Sequence, residues 1–314
     1  MALLRYLLQY RFRDMADFLA NEKRPPLECG GSLEGKTVVI SGATSGIGLE
    51  TARLFASRGA RLVCLNRNPQ KSELLERELR DRFGSRVRTI LVDFSSRERT
   101  KECARRLLDL PEPMDVFIHN SGVYNTTKQF SKDGIEIVFQ VIHLSSFCLT
   151  YMLKERLRKE NRARILFVNS EGHRFALAGV HLDDLDWKRH IYTGLASYGA
   201  AKTAQLLAMM KFAEYFSGSR VTINAMHPGN VKSAIGENNG RLYRMLKKKL
   251  ILSNAKDPII SAKALFYLAV SEDVKMDSGR FFNLTSPEKP APHARDRDMA
   301  DEVWTKSLSL CGLS

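Results

Sequence analysis

Tyr198-Gly-Ala-Ala-Lys202 sets a phenol and an ammonium four residues apart. On a helix that spacing puts both on one face, about one turn from each other. An ammonium beside a phenol favours the phenolate and draws the tyrosine toward the working pH range, which is what a proton donor to a carbonyl oxygen needs. Ser170, 28 residues earlier, offers a hydroxyl able to hold a substrate oxygen. A Tyr-x3-Lys pair alone is a frequent chance match, so its weight depends on the rest of the chain.

A second stretch with chemical meaning is Ser41-Gly42-Ala43-Thr44-Ser45-Gly46-Ile47-Gly48. It follows the β-branched run Thr37-Val38-Val39-Ile40 and precedes a helical pattern from Leu49 to Arg58. Strand, glycine turn and helix together expose backbone N–H groups and a positive helix end, an anion site suited to a pyrophosphate. Gly42 permits the turn, Gly46 lets backbone approach phosphate, and Gly48 lets helix pack on strand. Thr44, Ser45 and Ile47 complete the candidate cofactor loop.

Further candidates lie where later strands should end. A site for NAD(H) wants Asp or Glu near Asn66 to accept from the ribose 2′-hydroxyl; the acid is missing and Arg67 stands next door. A guanidinium suits a 2′-phosphate by charge and fork geometry, so NADP(H) is expected over NAD(H). Asp93 could accept from an adenine amino group. His119-Asn120-Ser121-Gly122 is a small-residue turn in which Asn120 and Gly122 would let a cofactor ribose approach. Pro228, Gly229 and Val231 follow the sixth strand pattern, where a nicotinamide would lie.

These residues need elements to position them. Strand patterns at Arg61–Asn66, Val87–Val92, Val116–His119, Ile165–Asn169, Val221–Met226 and Arg280–Leu284 alternate with helical patterns. The helical patterns run over Gln70–Phe83, Arg97–Leu108, Gly134–Lys159, Ser197–Phe216 and Pro258–Ala269. Repeated β-α units imply a parallel sheet covered by helices on both faces. The expected class is α/β: a three-layer, doubly wound Rossmann-like sheet in one domain over residues 35–314. Residues 1–34 read as an N-terminal amphipathic helix and linker. In such sheets ligands bind beyond the carboxyl ends of the strands.

In order, Gly42-x3-Gly46-x-Gly48, Asp93, Asn120-Ser121-Gly122, Ser170, Tyr198-x3-Lys202 and Pro228-Gly229 make the chain resemble a short-chain dehydrogenase/reductase of the classical type, over roughly Gly35 to Leu310. Asn66-Arg67-Asn68, Asp133-Gly134 to Phe139-Gln140, Ser170-x2-His173-Arg174 and Gly279-Arg280-Phe281-Phe282 make it similar to the retinol-dehydrogenase and WW-domain-oxidoreductase group. The resemblance implies that Tyr198 moves the proton and Ser170 orients the oxygen. It implies that Lys202 tunes the tyrosine and holds the nicotinamide ribose, that Tyr198 also belongs to the cofactor-binding set, and that a nicotinamide carries hydride. Two departures stand out. Ser121 replaces the family's alanine, and Ile142 falls where the family has a catalytic asparagine. A side chain that cannot hydrogen-bond there opens an alternative: a weakly active or non-catalytic cofactor-binding regulatory or scaffold protein.

Composition narrows the rest. Five scattered cysteines without a CxxC indicate neither a disulfide framework nor a metal site, and fit a reducing intracellular compartment, cytosolic or on the cytosolic face of a membrane. The net charge of +14 suggests an anionic partner, yet no module combining aromatic and basic residues points to nucleic acid. Near the N-terminus no apolar run reaches the roughly 20 residues that span a bilayer. Leu4, Leu8, Phe12, Met15 and Leu19 instead fall at helical spacing, so Met1–Ala20 packs on protein or attaches peripherally to membrane. A lid-like segment, Ser233 to Asn254, contains the basic run Arg241–Lys249, a second candidate membrane contact. Apolar residues in this lid, and in the loop between Ser170 and Tyr198, suggest a small lipophilic carbonyl or alcohol. The resemblance adds a homodimer through the helices Gly134–Lys159 and Ser197–Phe216.

Overall fold

The computed structural model describes residues 2–9, 20–232, 236, 239 and 255–313. Eight strands form one sheet: β1 Thr37–Ser41, β2 Arg61–Asn66, β3 Val87–Leu91, β4 Val116–His119, β5 Arg164–Val168, β6 Thr222–His227, β7 Phe281–Asn283 and β8 Ser286–Glu288. Their spatial order is β3-β2-β1-β4-β5-β6-β7-β8. All neighbours pair in parallel except β7 and β8. The chain order reverses at the β1–β4 pair, which opens a crevice at the carboxyl edge.

Strand residues alternate between two cores, as the pleat requires. Val38, Ile40 and Ile118 face one side, packed with Phe55, Leu79 and Leu265 from α2 (Gly46–Ser57), α3 (Pro69–Phe83) and α7 (Ile259–Val270). Val39, Phe117 and Phe167 face the other. They pack there with Leu107, Phe147, Phe212 and Val303 from α4 (Arg97–Leu108), α5 (Ile137–Glu160), α6 (Gly194–Tyr215) and α8 (Arg297–Cys311). The three layers expected from the β-α alternation are present.

Three features depart from the expectation. The helix over Gly134–Lys159 begins at Ile137 and holds a π turn, Gln140–Leu144. α5 is long and apolar enough to cross a bilayer, but its most apolar 18-residue stretch is 78% buried inside the protein. β8 and α8 follow the last expected strand, and α8 packs across α5 and α6.

The N-terminal helix is described only as α1, Ala2–Leu7, and residues 10–19 lie outside the described residues. Tyr6 is buried beside His293, and its Oη donates to Asp296 Oδ2 at 2.9 Å. Arg5 pairs with the same carboxylate at 3.0 Å. Further on, Asn21 Nδ2 donates to Glu288 Oε2 (3.0 Å) and Leu27 N–H to Thr285 Oγ1 (2.8 Å). What is described of this segment therefore packs on the chain's own C-terminal region. The basic run Arg241–Lys249 lies outside the described residues. Of the expected lid, Gly236 and Asn239 are described.

Candidate active site

The glycine turn is built around Asn120. Asn120 Nδ2 donates to the carbonyls of Ser41 (3.1 Å) and Gly42 (3.0 Å), and the N–H groups of Asn120 and Ser121 both donate to Ser41 Oγ at 2.9 Å. Gly42 has φ +72° and Gly46 φ +54°, the region that favours glycine. A Cβ at Gly48 would overlap the Gly42 carbonyl oxygen and lie 2.5 Å from Asn120 Nδ2. The third glycine is thus demanded by the turn as much as by the strand. Asn120, expected beside a ribose, spends its amide pinning the loop.

The N-terminus of α2 is open. Ser45 is its N-cap, its side chain makes no capping bond, and no acid occupies the first turn. Thr44 in the turn and Ile47 in the first turn of α2 are half-buried. Asn66 is buried and its Oδ1 accepts from Ala43 N–H at 2.9 Å, so it braces the turn from β2, while its Nδ2 has no protein partner. Arg67 is exposed beside it. Asp93 is exposed and closes a turn, its Oδ1 accepting from Ser95 N–H (3.0 Å) and Ser95 Oγ (2.8 Å). Gly122 follows in the half-buried loop after β4.

Ser170 leaves β5 in an extended conformation and caps a 3₁₀ turn, Glu171–Phe175, its Oγ accepting from Gly172 N–H at 2.9 Å. A Cβ on Gly172 would sit 2.6 Å from Tyr198 Cε1 and 3.2 Å from Ser170 Oγ. The absence of a side chain at 172 leaves open a space bordered by both the serine hydroxyl and the tyrosine ring. Tyr124 meets Tyr198 edge-on with ring centres 5.7 Å apart. Neither Gly172 nor Tyr124 carries a spacing signal in the sequence; both matter through contact across the fold.

Lys202 Nζ lies 5.7 Å from the Tyr198 ring centre and donates to the Val168 carbonyl at 2.7 Å. The lysine is buried, and desolvation pulls its pKa down to about 7. His143, next to Ile142, is fully buried and bonds Ser307 Oγ through Nε2 at 2.7 Å; burial drops its pKa to about 3. Ile142 is fully buried in the α5–α6 core.

After β6, Pro228 O accepts from Ser261 Oγ at 2.7 Å, Gly229 has φ +74°, and Val231 bridges in parallel to Lys256. A cavity of about 220 Å³ opens there, lined by Glu22, Gly229, Val231, Lys256 and Asn283 among others. Asn239 ties the lid to the loop after β4, donating to Tyr124 O (2.8 Å) and accepting from Thr126 N–H (2.7 Å). Among the described residues no cluster of three or more His, Cys, Asp or Glu side chains could hold a metal.

Residues 36–181 match the model of the family described as short chain dehydrogenase. Mouse retinol dehydrogenase 13 is 31% identical over 290 residues, covering 90% of this chain and 86% of that protein. Mouse retinol dehydrogenase 12 is 33% identical over 282 residues, covering 90% and 88%. The chain belongs to the short-chain dehydrogenase family. An uncharacterised protein of Mycobacterium paratuberculosis superposes with a TM-score of 0.70 at 25% identity, covering 93% of this chain and 97% of that one. A Shigella flexneri short chain dehydrogenase complexed with NADP shares the fold, with a TM-score of 0.61 at 20% identity, covering 80% and 97%. Membership makes the protein an oxidoreductase of alcohol and carbonyl groups, with a nicotinamide cofactor.

Proposed function

We propose that the protein is an NADP(H)-dependent oxidoreductase that interconverts a carbonyl and an alcohol on a lipophilic, retinoid- or steroid-like substrate. One observation carries the reading: Ser170 and Tyr198 both border the space above Gly172, with Lys202 buried beneath the ring, at the same sheet edge as an uncapped glycine turn.

The turn fits a dinucleotide. Its third glycine has no room for a side chain, and the open end of α2 presents N–H groups and positive dipole to a pyrophosphate. Gly42, Thr44, Ser45, Gly46, Ile47 and Gly48 would hold that group, and Pro228, Gly229 and Val231 would border the nicotinamide. Arg67 would take the 2′-phosphate, since Asn66 offers no carboxylate for a free hydroxyl. Asp93, Asn120 and Gly122 would flank adenine and ribose. The bound nicotinamide supplies or receives the hydride.

In reduction, Ser170 Oγ holds the carbonyl oxygen and Tyr198 Oη gives it a proton. Lys202, close under the ring, stabilises the resulting phenolate. Phe175, Leu177, Ile191 and Leu195, in the stretch of chain between Ser170 and Tyr198, are exposed, which supports an apolar substrate. The apolar Leu7 and Leu8 on the surface, together with the basic run Arg241–Lys249, support peripheral contact with a membrane. Five free thiols support a reducing compartment.

The test is turnover with NADPH and a panel of lipophilic carbonyls. Wild type should reduce at least one, and Tyr198→Phe should lower kcat by at least a hundredfold; an unchanged rate removes the mechanism. Arg67→Asp should weaken NADPH at least tenfold more than NADH. If wild type binds NADPH yet turns over nothing, the protein is the cofactor-binding regulator that Ile142 suggests.

A further inference from the structure

The π turn Gln140–Leu144 interrupts the regular carbonyl ladder of α5, and Ile142 stands inside it. The Ile142 carbonyl accepts from Ser146 Oγ at 2.9 Å and from Gln205 Nε2 at 3.1 Å. Gln205 lies on α6, three residues after Lys202. Its Oε1 accepts from Asn169 Nδ2 at 2.9 Å. The same Nδ2 donates to the Lys202 carbonyl at 3.1 Å, and Asn169 Oδ1 accepts the N–H of Ser170 at 2.8 Å. Asn169 and Gln205 are both buried, each 2% exposed.

The polarity of this chain is set at its ends. The Ser170 N–H can only donate and the Ile142 carbonyl can only accept. Asn169 must therefore turn Oδ1 to Ser170, which leaves its Nδ2 for Lys202 O and Gln205 Oε1. Gln205 must then turn Nε2 to Ile142. Rotating either amide by half a turn sets donor against donor or acceptor against acceptor. Buried amides are costly unless bonded, and an apolar pair would fill the same volume without that demand. The bonds they make reach the backbones of Ser170, Lys202 and Ile142.

We propose that Asn169 and Gln205 are positioning residues: they lock the end of β5, the lysine turn of α6 and the π turn of α5 into one unit, holding Ser170, Tyr198 and Lys202 in register without a polar side chain at position 142. The inference rests on the function proposed above, because its purpose is to place that proton-transfer group. Neither amide reaches the substrate oxygen's holder except through backbone, so each acts through Ser170 and Lys202. The Val168 carbonyl that receives Lys202 Nζ belongs to the residue before Asn169, so the strand end that Asn169 braces also holds the ammonium.

Two variants test it. Gln205→Met keeps the volume and removes donor and acceptor. Gln205→Glu keeps an acceptor toward Asn169 and removes the donor toward Ile142. Backbone hydrogen exchange on the free protein needs no turnover. In Gln205→Met, exchange should rise at least threefold in residues 139–146 and also in residues 169–172. In Gln205→Glu it should rise in 139–146 alone. Exchange confined to α6 in both variants overturns the network. In steady state, Gln205→Met should lower kcat at least tenfold, keep KM and NADPH affinity within twofold, and shift the alkaline limb of the kcat profile. A lowered melting temperature with unchanged kcat and pH profile makes the amides structural only and overturns the proposal. If wild type shows no turnover, the functional reading fails while the exchange pattern still decides the network. Should Gln205→Met not fold, Gln205→Glu decides by its own pattern: a rise confined to residues 139–146 supports the network, and no rise there overturns it.

Discussion

A methyl group at position 48 has nowhere to go, because the Gly42 carbonyl and the Asn120 amide already fill the space it would take. Backbone and a doubly bonded amide cannot retreat as a flexible side chain would. Gly48→Ala should therefore destabilise the protein by about 3 kcal/mol, at the upper end of overpacking costs, and lose NADPH binding; urea unfolding and a fluorescence titration measure the two effects. Ile142→Asn is a different case. An asparagine would set an amide in the apolar core, while the backbone carbonyl there already has its partners. The change should cost about 3 kcal/mol by analogy with buried unpaired polar groups and lost apolar packing, and leave turnover no higher. Faster turnover in that variant would show that the missing side chain limits the reaction. Lys202 has a folded pKa of about 7 against an ordinary 10.5. The unfolded chain binds that proton more readily, so its burial costs nothing at high pH, costs progressively more as pH falls from 10.5, and is fully felt below about 7. Lys202→Met should gain stability relative to wild type as pH is lowered from 9 toward 7, followed by the urea midpoint at each pH. Gly42, Gly48, Ser170, Tyr198 and Lys202 were legible because their spacing along the chain is their signal. Gly172, Tyr124, Asn169 and Gln205 were not, because what they do depends on residues from other elements.

At the scale of elements, the sheet was readable where strands are continuous apolar runs and helices have plain periodicity. The two late elements were hidden for physical reasons. β8 is three residues with Pro287 at its centre, tolerable only at an edge. α8 buries Ala300, Val303, Ser307 and Cys311, small or polar residues at helical spacing that scarcely register as an apolar stripe. Its anchor is Trp304, which meets Phe147, Tyr151 and Phe212 edge-on at 5.0, 5.9 and 4.7 Å between ring centres. The π turn was equally invisible: the sequence pattern through Gln140–Leu144 is that of any apolar helix, and the wider turn appears only in the backbone bonds. Because α8 seals α5 against α6, Trp304→Ala should cost about 3 kcal/mol, the low end for a large aromatic since this ring is only partly buried. The urea midpoint reads it, and a loss under 1 kcal/mol would mean that α8 is a loosely held cover.

The whole molecule poses one question that the N-terminal segment answers. A net charge of +14 draws the protein toward anionic surfaces, but charge alone does not distinguish screening contact from insertion. Residues 1–20 carry three arginines and two aspartates, so deleting them removes one net positive charge and leaves +13. The deletion thus tests apolar insertion with electrostatics nearly constant. The same segment has a second occupation, because Tyr6 is buried against His293 and Asp296, with Arg5 on the same carboxylate. Removing it should lower the melting temperature by about 2 °C or more, from roughly 1 kcal/mol of lost packing and hydrogen bonding. If Leu7, Leu8 and the residues after them also enter the headgroup region, co-sedimentation with anionic vesicles should fall severalfold in the truncated protein at equal salt. A lower melting temperature with undiminished co-sedimentation would make the segment a strap over the C-terminal region, and would leave the basic residues elsewhere as the source of membrane affinity.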